Sequence, residues 1–146
     1  MAHKNFGPSE LVLAAMAASK THVFSPVQIQ KLIFLLDRNV PKQTGGPHFS
    51  FQPYDYGPFD AGVYRVLDTL AEFGLAEILS QGPTRRYSLT EAGVKAGAKH
   101  LGTLDKEIRE YITSLANFVQ GLSFPQLVSA IYKAYPEMKK NSVFRI

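Results

Sequence analysis

The sequence predicts an α+β fold of the winged-helix type, a helical bundle with a small antiparallel hairpin, extended by two C-terminal helices. Three observations carry this reading. Phe59, Val63, Val66, Leu67, Leu70 and Phe73 recur at spacings of three and four, which makes one apolar helical stripe. Ala76-Glu77-Ile78-Leu79 and Arg86-Tyr87-Ser88-Leu89 read as strands flanking the turn Gln81-Gly82-Pro83-Thr84. A helix that runs straight into such a hairpin is the core of a winged helix. Finally, two strongly amphipathic stretches follow the hairpin.

In chain order, Pro8-Ser9-Glu10 is a helix start, with Ser9 as the expected cap and Glu10 suited to the positive helix end. Leu11 to Ser19 reads as a short Ala-rich helix whose small side chains admit a close neighbour. Ser25-Pro26 opens the next helix, a hydroxyl cap followed by Pro at the first helical position. Ile29, Leu32, Ile33 and Leu36 form its stripe, Phe34 and Leu35 widen it, and Gln28, Lys31 and Arg38 are left for the surface. A long connection from Val40 to Tyr56 contains Phe49 to Gln52, the expected third strand beside the hairpin. Gly57-Pro58 punctuates the start of the central helix and Gly74 its end.

After the hairpin, Thr90 caps a helix running to about His100, weakened by Gly97 and Gly102. Leu104 to Val119 is amphipathic, with Leu104, Ile108, Tyr111, Ile112, Leu115, Phe118 and Val119 on one side. Ser123-Phe124-Pro125 starts a last helix carrying Leu127, Val128, Ile131 and Tyr135. The whole chain, 1–146, reads as one domain: a winged-helix core over 8–102 and a helical extension over 103–146. Amphipathicity alone leaves two uses for the extension, thickening the core or joining two copies into a homodimer.

The charge distribution argues against a strong phosphate binder. Net charge is +4, but residues 59–102, the segment that would read DNA, carry five basic and five acidic side chains. With no cysteine there is no disulfide framework or thiolate chemistry. The N-terminus lacks a secretory pattern, and no apolar run approaches the ~20 residues that span a bilayer. The expectation is a cytoplasmic protein with no membrane contact.

No motif for catalysis, metal or cofactor stands out. His3, His22, His48 and His100 are dispersed, and Gly45-Gly46-Pro47 lacks the Lys-Ser/Thr that completes a phosphate loop. Asp55 and Asp60 flank Gly57-Pro58, where acids act as caps or dipole partners. We therefore expect no enzyme. The face of the central helix opposite its stripe presents Asp60, Ala61, Tyr64, Arg65, Asp68, Thr69 and Glu72, which suits a protein partner better than a phosphodiester backbone.

The motif order also resembles a known family. Gln30-Lys31-Leu32-Ile33-Phe34-Leu35-Leu36 is followed by Phe49-Ser50-Phe51-Gln52-Pro53-Tyr54-Asp55-Tyr56-Gly57-Pro58-Phe59 and Val63-Tyr64. Gly74-Leu75 and Tyr87-Ser88-Leu89-Thr90-Glu91-Ala92-Gly93 complete the series. This order resembles the SocA/Panacea-type antitoxin domain of bacteria, archaea and their phages, over about residues 25–93. The family's Trp before the Tyr-Gly-Pro is absent, and Tyr54 occupies that vicinity. The segment Arg86 to Gly93 is also similar, generically, to MarR- and PadR-type DNA-binding dimers.

The resemblance implies a prokaryotic or phage regulator that binds a toxin or other regulatory target through Tyr54, Tyr56, Phe59, Tyr64 and Arg65. The alternative is a winged-helix transcriptional regulator in which Lys31, Arg65, Arg85 and Arg86 contact DNA phosphates.

Overall fold

The computed structural model describes residues 6–144. Its elements are α1 (Pro8–Ala17), β1 (Val23–Phe24), α2 (Pro26–Asn39), β2 (Gln52–Tyr54), β3 (Gly57–Phe59) and α3 (Ala61–Glu72). They continue with β4 (Ala76–Gln81), β5 (Thr84–Leu89), α4 (Glu91–Gly102), α5 (Lys106–Gly121), α6 (Phe124–Ala134) and a 3-10 turn over Pro136–Lys139. The fold is α+β: six helices, an antiparallel sheet in the order β1-β5-β4, and a separate β2-β3 ribbon among the described residues.

Two helices form the centre. In α1, Leu11 to Met16 are buried without a break. Its cap is Gly7 rather than Ser9: Pro8 takes the first helical position, and the Glu10 carboxylate accepts from the Gly7 amide at 2.8 Å. The small side chains of α1 do admit a close neighbour, α4. A Cβ on Gly97 would run into the Leu13 carbonyl and the Ala17 methyl, so this glycine permits the contact instead of merely weakening α4.

The start of α2 follows its sequence signals, with Ser25 and Gln28 closing a reciprocal capping box. Its burial exceeds a stripe. Every residue from Ile29 to Asp37 is buried, including Gln30, Lys31 and Asp37. Lys31 was expected at the surface and is 3% exposed; Arg38 remains exposed. Apolar periodicity marks only one side of α2, and β3, α5 and α6 all pack against this helix.

The central helix begins later than Gly57-Pro58 implied. Those residues and Phe59 pair with Gln52–Tyr54, and α3 starts at Ala61 with Asp60 as its cap. The Asp60 carboxylate accepts from the Gly62 amide at 2.7 Å and the Ser50 amide at 2.7 Å. Val63, Leu67 and Leu70 are buried, Val66 is half-buried, and Phe73, at the C-cap, is 75% exposed. Gly74, at φ +75°, then turns the chain. The amides of Gly74 and Leu75 return to the carbonyls of Ala71 and Leu70, closing the helix in a Schellman motif.

The hairpin forms as expected, with Gly82 at φ +60° opening its two-residue turn. Its third strand is Val23–Phe24, paired with Ser88 and Tyr87, and not Phe49 to Gln52. The reason is local. The amides of Phe49 and Ser50 are already taken by the carboxylates of Asp37 and Asp60, and Phe49 and Phe51 pack as aromatic cover. Thr90 caps α4 through the Gly93 amide, and Ser123 caps α6 through Gln126.

The C-terminal extension thickens the core. Ile112, Ala116 and Val119 of α5 and Leu127, Val128, Ile131 and Tyr132 of α6 join the same hydrophobic cluster as α1 and α2. Tyr111 and Phe118, expected on the apolar side of α5, are exposed by 36% and 51%. None of the described helices is long and apolar enough to cross a membrane.

Candidate functional site

A cavity of about 310 Å³ opens between α2, the β2-β3 ribbon and α3. Its lining includes Gln30, Lys31, Tyr54, Tyr56, Phe59 and Tyr64. Four of the five residues expected to meet a partner, scattered over eleven positions of sequence from Tyr54 to Tyr64, thus share one concave surface. Arg65 does not line it and lies on the exposed face of α3.

Each wall has a local cause. Tyr54 pairs with Gly57 across the ribbon, so Asp55 and Tyr56 make a tight reversal. Gly57 closes it at φ +104°, a conformation open to glycine and strained for other residues. The ribbon is held from outside by the chain's end. Asn141 Nδ2 donates to the Pro53 carbonyl at 3.1 Å, and Ser142 Oγ and the Val143 amide donate to the Asp55 carbonyl at 3.2 and 2.9 Å. The Tyr54 and Phe59 rings stack at 5.1 Å, Phe59 meets Tyr64 edge-on at 5.6 Å, and Tyr64 stacks on Tyr87 at 5.7 Å. Tyr54 and Tyr56 stay 56% and 43% exposed and form the rim.

The floor is polar. Gln30 holds the backbone of Asp60 from both sides: its Nε2 donates to the Asp60 carbonyl at 2.9 Å, and its Oε1 accepts from the Asp60 amide at 3.0 Å. This clamp sets the start of α3 and so the position of Tyr64. Beside it, Lys31 Nζ donates to the Pro58 carbonyl at 3.3 Å. Burial pushes the Lys31 amine down to about 8. Burial, followed by the neighbouring Tyr87, pushes the Tyr64 hydroxyl up. Gln30 was overlooked as a site residue. Its signal was a polar side chain in the middle of the most apolar helix.

The remaining cationic candidates lie elsewhere. Arg85 and Arg86 are exposed on β5, and Arg85 donates to the Tyr87 hydroxyl at 3.3 Å. That hydrogen bond, together with the nearby Asp68, pushes the Arg85 guanidinium further up. Arg86 borders a separate, wider depression with Thr21, Val23, Gln28 and Phe124. Lys31, expected at the surface with these arginines, is instead buried beneath the ribbon and donates to the Pro58 carbonyl. Among the described residues no group of His, Cys, Asp and Glu side chains is arranged to hold a metal ion.

A second polar anchor was also missed. Asp37, 5% exposed, accepts from the His48 amide at 2.8 Å and the Phe49 amide at 2.8 Å, and so ties the long connection to α2. No family model, curated protein or solved structure matches this chain.

Proposed function

We propose that this is a winged-helix regulatory protein without catalytic activity that acts by holding a protein partner, in the manner of a SocA-like antitoxin or adaptor. The convergence of Tyr54, Tyr56, Phe59 and Tyr64 on one cavity carries this reading. Partly exposed tyrosines over a concave surface supply large contact area with few rotatable bonds, a composition typical of interface cores. The adjoining face of α3, with Arg65, Asp68 and Glu72 exposed, provides a mixed-charge rim. The test is co-expression with the product of the neighbouring reading frame. Tyr54→Ala and Tyr64→Ala variants that remain folded are expected to lose at least about tenfold in affinity, as truncated interface anchors do. Undiminished binding by both variants would refute the reading.

DNA binding is the second reading, favoured by the exposed pair Arg85 and Arg86 on the protruding hairpin. Against it stand the acids of the α3 face and the burial of Lys31. If duplex binding occurs it should weaken steeply with salt, and replacing both arginines by Ala should flatten that slope by about two contacts' worth. Binding insensitive to salt would reject it.

A further inference from the structure

We propose that the cavity over Lys31 receives a carboxylate carried on a flat apolar body about the size of one aromatic residue, with the Lys31 ammonium as its counter-charge. The proposal rests on reading this cavity as a binding site and adds the chemistry of what enters it.

An ammonium has three donors and no acceptor. Lys31 is 3% exposed, and its hydrogen-bond partner is one backbone carbonyl, that of Pro58. Among the described residues the ion pairs are Arg38 with Glu137 and Lys95 with Glu91, so no carboxylate of those residues forms an ion pair with Lys31. Lysine is seldom fully buried without a partner, because the charge loses its hydration and gains nothing in exchange. The neighbouring Gln30 amide is committed, with both of its ends occupied by Asp60. A second buried polar atom lies close by. At Gly57, where a Cβ would sit 3.5 Å from Lys31 Cε and 3.2 Å from Tyr132 Cε1, the Lys31 stem and the Tyr132 ring converge. The Tyr132 hydroxyl is buried without a hydrogen-bond partner.

Charge and shape narrow the ligand. The cavity offers one buried cation and, at its water-exposed rim, the carboxylate of Asp55. The buried cation can neutralise one negative charge while the Asp55 carboxylate stays solvated at the rim, whereas a dianionic phosphate normally gathers several donors and cations. An uncharged aromatic would fill the walls and leave the ammonium unpaired. Tyr54, Phe59 and Tyr64, whose rings pack on one another, line the same cavity as Lys31 and give it aromatic walls. A cavity of about 310 Å³ is at the small end of ligand sites, enough for one aromatic acid or one terminal residue.

A free small acid and the C-terminal residue of a polypeptide share this chemistry, and paired probes separate them. Binding to the full chain is measured with 3-phenylpropionate against 3-phenylpropionamide, and with a short peptide ending in Phe against the same peptide amidated. The readout is calorimetry, supported by tyrosine fluorescence, which the chain's lack of tryptophan leaves unobscured. The acid is expected to bind at least about tenfold more tightly than its amide in one pair or both, the typical gain from a charge-assisted hydrogen bond. The pair that responds identifies the source. Lys31→Met, which keeps the apolar stem, should abolish the preference. Equal binding of acid and amide, no acid binding at millimolar concentration, or a preference that survives in Lys31→Met would overturn the proposal. Acid preference without partner capture supports the carboxylate assignment and removes the protein-partner reading; partner capture without acid preference does the reverse.

Discussion

Replacing Lys31 by Met should make the protein more stable, and the gain should vanish at alkaline pH. Folding takes the Lys31 amine from 10.5 to about 8. At about 1.4 kcal/mol per pH unit, this costs the folded state about 3 kcal/mol wherever the amine is charged in both states. Methionine has a similar length, keeps the packing of the stem and carries no charge. It also loses the hydrogen bond to the Pro58 carbonyl, at about 1 kcal/mol. The net gain expected at neutral pH is therefore about 2 kcal/mol. Between about pH 8 and 10.5 the unfolded wild type binds more protons than the folded one, so wild-type stability climbs relative to the variant. The raised Tyr64 hydroxyl is present in both proteins and largely cancels in the difference. The assay is urea unfolding of both proteins from pH 6 to 10.5, followed by far-UV circular dichroism. A variant less stable than wild type at neutral pH, or a difference that does not change with pH, would refute the account of a buried, unpaired ammonium.

Two further outcomes follow from the anchors around the cavity. Asp37→Ala should cost about 2–3 kcal/mol in urea unfolding, because the part-buried amides of His48 and Phe49 lose a charged acceptor. The same variant should speed amide exchange selectively in the connection over residues 44–51. Gly57→Ala should cost about 1–3 kcal/mol, since φ +104° is strained for alanine and its methyl would crowd Tyr132 and Lys31. A change below about 0.5 kcal/mol would show that the ribbon relaxes freely there.

Local chemistry wrote most of the elements into the sequence. The Ser25, Thr90 and Ser123 caps and the Gly74 and Gly82 turns depend on residues a few positions apart, and each appears where its signal stands. The apolar pattern Val63, Leu67 and Leu70 likewise marks the buried side of α3. Where local signals competed, the tertiary structure chose. Phe49 to Gln52 alternates like a strand, yet Asp37 and Asp60 claim the amides of Phe49 and Ser50, Gln52 pairs with Phe59 in the ribbon, and Val23–Phe24 takes the place beside β5.

Tyr54, Tyr56, Phe59 and Tyr64 could be named from the sequence as a group, because they cluster in the most aromatic part of the chain. Their arrangement as one wall over Lys31 could not. A helical pattern gives the angle at which a side chain leaves its axis; it does not say what will cover that side. Lys31 lies opposite the apolar stripe of α2 and would be solvated on an isolated helix. It is buried because the β2-β3 ribbon folds across it, and that ribbon is secured by Asn141, Ser142 and Val143 from the far end of the chain. The residue types of the candidate site were thus determined by the sequence alone. The charge at its floor was decided only when segments about ninety residues apart came together, because burial is a property of the assembled surface and not of any one helix.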